Sequence, residues 1–367
     1  MAPKLVICLD GLGFDKISKR NTPFLYEFSK KNHLARLKTL LAFTGIEFTF
    51  FSGSYPDKHD IWLEFVHAPK TSPFKWQKYF SFLGRKAINY LSIFMQYLGG
   101  SEFITKTYHI PYSVMSKFDL ASRKNIWSLE AFKNKRFICY KFPFFVKNNK
   151  IKVVPFYEND EERCKRIIKS VDKETEIYAV QLVDLDKISH KFGVGSKETL
   201  NKIKQLDELI RKTVSLFQQK IPDVDVVLWS DHGFADVKKY EDMEKMLPKS
   251  KEYLVFYGGT TASFWFKNEK IRKEIVNKLK KFRFGKILSE KDKKRYKMPL
   301  SKKHGEVIFA VNPGVMIFPN YYEKTEKEKF KAMHGYMPLK ELDGILITDI
   351  KVKKVMGMAD VCKILKK

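Results

Sequence analysis

The chain has little cysteine, no long apolar run and a shortage of acid. Its four cysteines, Cys8, Cys139, Cys164 and Cys362, are widely separated and form no C-x-x-C pair. That spacing suits neither a zinc knuckle nor a disulfide framework. Cys8 and Cys139 sit inside apolar runs, where a thiol packs as a small hydrophobe. No uninterrupted apolar stretch reaches the roughly 18–20 residues of a spanning helix. Internal repeats and low-complexity tracts are absent too, which excludes solenoid and fibrous architectures. No signal-peptide architecture precedes the first strand-like run, so the expectation is a cytoplasmic, reducing location, with attachment to a membrane surface left open. Acid is scarce: 42 Asp and Glu against 70 Lys and Arg leave a formal charge of +28. Such a surplus concentrates anionic partners, whether phosphorylated substrates, nucleic acid or an acidic membrane face. A lysine bias spread over a solvated surface gives the same count. Apolar content is ordinary at 44%, and 43.2 kDa suffices for one large core or two modest ones.

What is present is a set of nearly continuous apolar runs, the pattern of strands buried on both faces. Leu5 to Leu9, Ile177 to Leu185 and Val226 to Ser230 each run into an aspartate: Asp10, Asp186 and Asp231. Helical patterns lie between them. Thr22 and Pro23 open one helix. Ser196 caps another, whose Leu200, Ile203, Leu206, Ile210, Val214 and Phe217 recur at helical spacing. Further strands are expected at Arg136–Tyr140, after Gly314 and after Gly344, and a strand-like run over Leu37–Phe43. The alternation predicts an α/β fold around a mainly parallel sheet sandwiched by helices, in a single domain over 1–367. Two segments break the rhythm. Residues 67–117 hold an aromatic-rich helical insert with Lys78, Arg85 and Lys86 interleaved: a lid, a partner-binding helix, an in-plane membrane helix, or a helix packed within the protein. Residues 241–300 read β-β-α, through Tyr253–Tyr257, Thr261–Phe266 and a Lys-rich helix near Ile271–Phe282, as a small α+β cap.

Aspartates at the carboxyl ends of buried strands converge on the crevice where open α/β sheets bind ligands. Asp186 and His190 stand at i, i+4, a spacing that lets one helical turn or tight loop offer both to one ion. In Ser230-Asp231-His232-Gly233 a strand delivers Asp231, His232 follows, and Gly233 lets the backbone turn close by. His334 precedes Gly335 in a loop. Carboxylates mixed with imidazoles suit zinc, manganese or iron(II) better than calcium.

The order of these motifs resembles the alkaline phosphatase superfamily, and within it the type I phosphodiesterase/nucleotide pyrophosphatase family: Asp10-Gly11, then a hydroxyl residue ahead of Ser52-Gly53-Ser54-Tyr55-Pro56, then Asp186-x-x-x-His190, then Asp231-His232-Gly233, then His334-Gly335-Tyr336. The resemblance runs from Lys4 to about residue 365, broken by the two inserts. It implies an alkaline-phosphatase-like core and two divalent ions, zinc foremost, with manganese, iron or magnesium as alternatives. One ion falls to Asp186, His190 and His334 and is expected to bind the attacking water. The other falls to Asp10, Asp231, His232 and a threonine, whose hydroxyl acidifies on coordination and becomes the nucleophile. Thr44 is the candidate nucleophile and Thr49 the other hydroxyl in the segment, read as a packing residue; counted back from Gly53 the position falls on Phe43. Glu47 stands where the family's asparagine contacts the phosphoryl group of substrate, and a carboxylate there repels a phosphate dianion unless protonated or paired. It signals either different substrate chemistry or a side chain directed elsewhere. His59 matches a structural histidine of the family, and His304 reads as a surface residue.

The function implied is a metal-dependent hydrolase of phosphate esters, a phosphodiesterase or phosphatase forming a covalent phosphothreonine on an anionic small-molecule, lipid or glycan substrate. Two alternatives stand beside it. One is a phosphotransferase to a lipid or glycan acceptor. The other is a basic protein binding nucleic acid or acidic lipid over a relic metal site, although no nucleic-acid motif supports it.

Overall fold

The computed structural model describes residues 2–41, 43, 45–99, 107, 109–122, 151–154, 159–323 and 325–365. Its centre is a seven-stranded sheet. In sequence order it contains β1 (Lys4–Leu9), β2 (His33–Lys38), β5 (Ile151–Val153), β6 (Ile177–Leu182), β7 (Asp225–Trp229) and strands Gly344–Thr348 and Val355–Gly357; the hairpin strands β3 (Phe65–His67) and β4 (Phe118–Leu120) lie outside it. Across the sheet the order is Val355–Gly357, β2, Gly344–Thr348, β7, β1, β6, β5. Strand Gly344–Thr348 is antiparallel to both its neighbours, while β7, β1, β6 and β5 run parallel. The sheet is therefore mainly parallel, as the apolar runs predict.

Both faces of the sheet are covered, which is why its strands show no apolar–polar alternation. On one face Leu5, Ile7 and Leu9 pack with Ile203, Leu206, Ile210, Val214 and Phe217 of the helix Lys197–Lys220. The Ser196 hydroxyl caps that helix by accepting from the Thr199 N–H. The first helix likewise begins at Pro23 and runs to Lys31. On the other face Val6 and Cys8 pack with Ile46, Phe48, Phe50 and Phe51 of the helix Gly45–Ser52. Apolar almost all round, that helix is buried, and its Phe50 stacks on Trp229 of β7 at 3.5 Å between ring centroids. Cys8, Cys164 and Cys362 are buried and none is in a disulfide among the described residues; Cys139 and the expected strand Arg136–Tyr140 lie outside the described residues.

The expected strand over Leu37–Phe43 is displaced: β2 ends at Lys38, and the chain then turns toward the site. The strand after Gly314, Val315–Ile317, forms, but it pairs with Lys239–Glu241 outside the central sheet. The segment expected to form a cap carries a four-stranded antiparallel sheet of Tyr253–Tyr257, Thr261–Phe266, Val307–Val311 and Gly285–Ile287, with the helix Glu269–Leu279. Its sheet reaches beyond the expected boundary at 300, because Val307–Val311 is the central strand between Thr261–Phe266 and Gly285–Ile287. The 67–117 insert springs from the antiparallel hairpin of β3 and β4. Phe65 and Phe118 of that stem pack on Phe256 of the cap.

Candidate metal centre

The three central parallel strands aim their carboxyl ends at one crevice. Asp10 follows β1 directly, and Asp231 and His232 follow β7 after Ser230. Asp186 arrives differently from the expectation that its strand runs into it. Strand β6 stops at Leu182, and Asp186 sits in the first turn of the helix Asp184–Phe192 with His190 one turn on. The early helix start is what sets the two side chains on one face. His334 enters from the far side, directly after the short strand Ala332–Met333.

These six residues form two adjacent groups, Asp186–His190–His334 and Asp10–Asp231–His232, within each of which one ligand atom per residue lies within 4.8 Å of the others. In the first, His190 Nε2 and His334 Nε2 stand 3.5 and 3.8 Å from Asp186 Oδ1. In the second, His232 Nε2 stands 3.6 Å from Asp10 Oδ1 and 3.2 Å from Asp231 Oδ2. Most of these separations are too long for hydrogen bonds. They match the spacing of neighbouring ligands on a tetrahedral zinc, about 3.4 Å apart when each bond is about 2.0–2.1 Å. Asp186 Oδ1 is buried and makes no hydrogen bond within the described structure. An orphaned carboxylate oxygen facing two imidazole nitrogens is the kind of vacancy in hydrogen bonding that a cation fills. The imidazoles are oriented for it as well: His190 Nδ1 lies 3.0 Å from the Ala332 carbonyl and His232 Nδ1 3.2 Å from that of Gly233. Donation from Nδ1 leaves each Nε2 lone pair facing the carboxylates. His232 and His334 stack at 3.6 Å with planes 7° apart, which joins the two groups into one centre.

Electrostatics point the same way. Burial pushes Asp186 up to about 8 and Asp231 to about 7, and burial together with Asp231, Asp186 and Glu47 raises Asp10. Burial lowers His190 to about 4 and His232 to about 3, and burial together with the neighbouring imidazoles lowers His334 well below its ordinary value. Uncharged imidazoles beside carboxylates that resist ionisation describe a site short of positive charge. This gives a pH prediction. For the metal-free protein, the raised carboxylates bind protons in the folded state that the unfolded state has released, so stability falls as pH rises between their unfolded and folded pKa values. The lowered histidines act oppositely, adding stability as pH rises toward 6.5, their unfolded value. Above that only the carboxylates contribute, so the melting temperature of metal-free protein should fall by a few degrees between pH 6.5 and 8. Zinc should abolish that slope. A flat metal-free profile would mean these carboxylates are not held short of positive charge.

Glu47 faces the centre and not elsewhere. The Gln181 amide donates to both Asp10 Oδ2, at 2.8 Å, and Glu47 Oε1, at 2.6 Å. Gln181 itself is a residue that the sequence reading passes over. Its signal is present, since it is the lone amide in the buried run Ile177–Leu182, where a polar group needs a partner. Gly11, with φ +78°, donates its N–H to Asp231 Oδ1 at 3.3 Å, and a Cβ there would meet the Phe234 ring at 2.6 Å. Gly233 works by close approach: a Cβ would lie 2.9 Å from the Glu341 carbonyl and 3.0 Å from Gly13 Cα.

Thr44 lies outside the described residues. On one side of it the Phe43 ring meets His334 edge-on at 5.2 Å, and on the other Gly45 opens the helix that carries Glu47. Thr49 is buried; its hydroxyl donates to the Gly45 carbonyl at 2.7 Å and accepts from His59 Nε2 at 3.0 Å, while His59 Nδ1 accepts from the Ile61 N–H. Thr49 and His59 are thus packing and structural residues. His304 is not a surface residue: it is buried, with Nε2 2.8 Å from Asp60 Oδ1, and it pins the start of the cap's last strand to the core instead of serving the centre.

Comparison with known proteins bears on the fold and the family. Solved structures of murine ectonucleotide pyrophosphatase/phosphodiesterase 5 superpose with a TM-score of 0.69 at 15% identity over 99% of this chain and 94% of that one. An inactive threonine-to-alanine form of the murine protein in complex with AMP gives 0.67 at 16% identity, over 100% and 94%. The human counterpart gives 0.67 at 15%, over 99% and 93%. At such identities the likeness establishes the fold. A search of curated proteins finds no match. A sequence model of the type I phosphodiesterase/nucleotide pyrophosphatase family matches residues 4–337, almost the whole chain, and the chain belongs to that family.

Proposed function

We propose that the protein is a metal-dependent phosphodiesterase in which two divalent cations, zinc foremost, are held by Asp186, His190 and His334 and by Asp10, Asp231 and His232, with Thr44 as nucleophile and second-set ligand. Family membership supports hydrolysis of phosphate esters. The observation that carries the finer reading is the pairing of two Asp/His groups at ligand-like spacing around the orphaned Asp186 Oδ1. Bound there, such ions supply Lewis acidity to a phosphoryl oxygen and lower the pKa of a coordinated hydroxyl or water. The chain's own residues do the rest. The Thr44 oxygen attacks phosphorus and one alcohol leaves; water then cleaves the threonyl ester, which still carries the second ester group of the diester, releasing a phosphomonoester and regenerating the hydroxyl. An AMP complex of a structural relative made inactive at a threonine supports a threonine nucleophile and a nucleotide-type substrate.

Glu47 favours a diester over a monoester. Asp10, Asp186, Asp231 and Glu47 together match the charge of two divalent cations, so the loaded centre carries little excess positive charge for substrate. A phosphomonoester brings two negative charges at neutral pH and a diester one, and the extra charge within a few ångströms of a carboxylate costs at least about 1.4 kcal/mol, or tenfold. With zinc or manganese, wild type should hydrolyse bis-p-nitrophenyl phosphate in preference to p-nitrophenyl phosphate. Glu47→Gln should shift that ratio toward the monoester by about tenfold, mostly through KM. Inactivity on both substrates with every metal would sink the enzyme reading; an unchanged ratio in Glu47→Gln would remove Glu47 from substrate selection.

A further inference from the structure

The helix Gly84–Leu98 of the insert is built inside out. Ile88, Ser92 and Gln96, one turn apart, form its buried stripe. The polar members are tied inward: Gln77 donates to Ser92 and to Thr107, both at 3.3 Å, Gln96 donates to Ser92 at 3.4 Å, and Asn89 accepts from the Thr107 N–H at 3.1 Å. Tyr90, Phe94 and Leu98 lie two residues out of phase with that stripe, about 200° around the helix, and are exposed. A water-facing helix shows the reverse arrangement.

The exposed apolar surface is concentrated here. Among the described residues, eight of the fourteen exposed large hydrophobic side chains are Tyr79, Phe80, Phe82, Leu83, Tyr90, Phe94, Met95 and Leu98, with Phe82 78% and Tyr90 72% exposed. Exposed apolar surface gathered in one short segment in this way marks contact with an apolar phase. Its surroundings carry one sign of charge. From Phe65 to Ser101 the sequence has no Asp or Glu, while Lys70, Lys75, Lys78, Arg85 and Lys86 are all exposed. At the foot of the helix, Lys78, Arg85 and Lys117 line an open hollow of about 600 Å³ together with Tyr112, Ser113 and Ser116.

We propose that this face docks on an anionic phospholipid surface, with Phe82, Tyr90, Phe94 and Leu98 entering the interface and the Lys78–Arg85–Lys117 hollow taking headgroup phosphate. Charge decides between the occupants. A second copy would set one basic patch against another on a chain of net charge +28, whereas an anionic bilayer neutralises the rim and buries the rings together. Fifteen residues of helix span about 22 Å, short of the roughly 30 Å hydrocarbon core, so the helix lies in the surface.

Flotation of the whole protein with vesicles tests this. Wild type should float at low salt with phosphatidylcholine–phosphatidylglycerol vesicles, much less with phosphatidylcholine alone, and less at high salt. Phe82→Ser/Phe94→Ser and Lys78→Ala/Arg85→Ala should each weaken binding about tenfold or more while keeping the wild-type circular dichroism spectrum and melting temperature. The proposal is overturned if folded wild type fails to float at low salt, or if both variants float equally well. It is also overturned if sedimentation shows a dimer that Phe82→Ser/Phe94→Ser dissociates, or if inorganic phosphate occupies the hollow without vesicle binding.

Discussion

Thr44→Ala should lower kcat/KM for bis-p-nitrophenyl phosphate by about 10³-fold or more, and Thr49→Ala should leave it within a few-fold of wild type. The two threonines are five residues apart, and what distinguishes them is the Thr49 hydrogen bonding and the described neighbours of Thr44 in the chain. The Thr49 hydroxyl is held between the Gly45 carbonyl and His59, so its removal costs packing and about 1 kcal/mol of hydrogen bonding, not chemistry. Thr44 is preceded by Phe43, whose ring lies against His334, and followed by the helix that brings Glu47 to the Gln181 amide beside Asp10. The described residues on either side of Thr44 thus lead to both Asp/His groups. Acid-stable phosphate trapped on wild type but not on Thr44→Ala would identify the attacking oxygen directly. Full turnover in Thr44→Ala, with loss in Thr49→Ala, would move the nucleophile to Thr49.

Asp186→Asn should be as damaging, for a different reason. Asp186 Oδ1 is the atom that both His190 Nε2 and His334 Nε2 face, so its group cannot hold a cation strongly once the carboxylate becomes an amide. Turnover should fall by about 10³-fold, the effect expected when a Lewis acid and its bound nucleophile are lost together. Stability of the metal-free protein should change in the opposite sense. Burial holds Asp186 up to about 8, so a neutral amide removes the cost of ionising it and should raise the melting temperature at pH 8. Activity lost with stability gained is the pattern of a functional carboxylate; loss of both would assign Asp186 to the fold.

The sequence made the fold legible where burial is two-sided. The runs ending at Asp10 and Asp231 are strands because both their faces are covered, and the Ser196 helix is delimited by its cap and its apolar stripe. It misplaced the element before Asp186, because an apolar run cannot show where a strand yields to a helix whose first residues continue the run. The six acid and imidazole residues were readable from motif order: Asp10, Asp231 and His232 follow strands of the central sheet, Asp186 and His190 share one helix face, and His334 follows the short strand Ala332–Met333. Gln181 was not, because an amide within a strand carries no motif; only its partners, Asp10 and Glu47, reveal its task. His304 was misread for a similar reason: the residue it pairs with, Asp60, is far away in sequence. Nor can a periodicity show whether the aromatic stripe of Gly84–Leu98 faces a core or solvent, and here the polar stripe is the one turned inward.

The most direct test of the centre is a count of bound metal. Protein stripped with chelator and titrated with zinc, then measured by elemental analysis after desalting, should hold two ions per chain. Asp186→Asn and Asp231→Asn should hold one each, and the double variant none. One ion in wild type, or two retained in either single variant, would contradict the assignment of Asp186, His190 and His334 to one cation and Asp10, Asp231 and His232 to another.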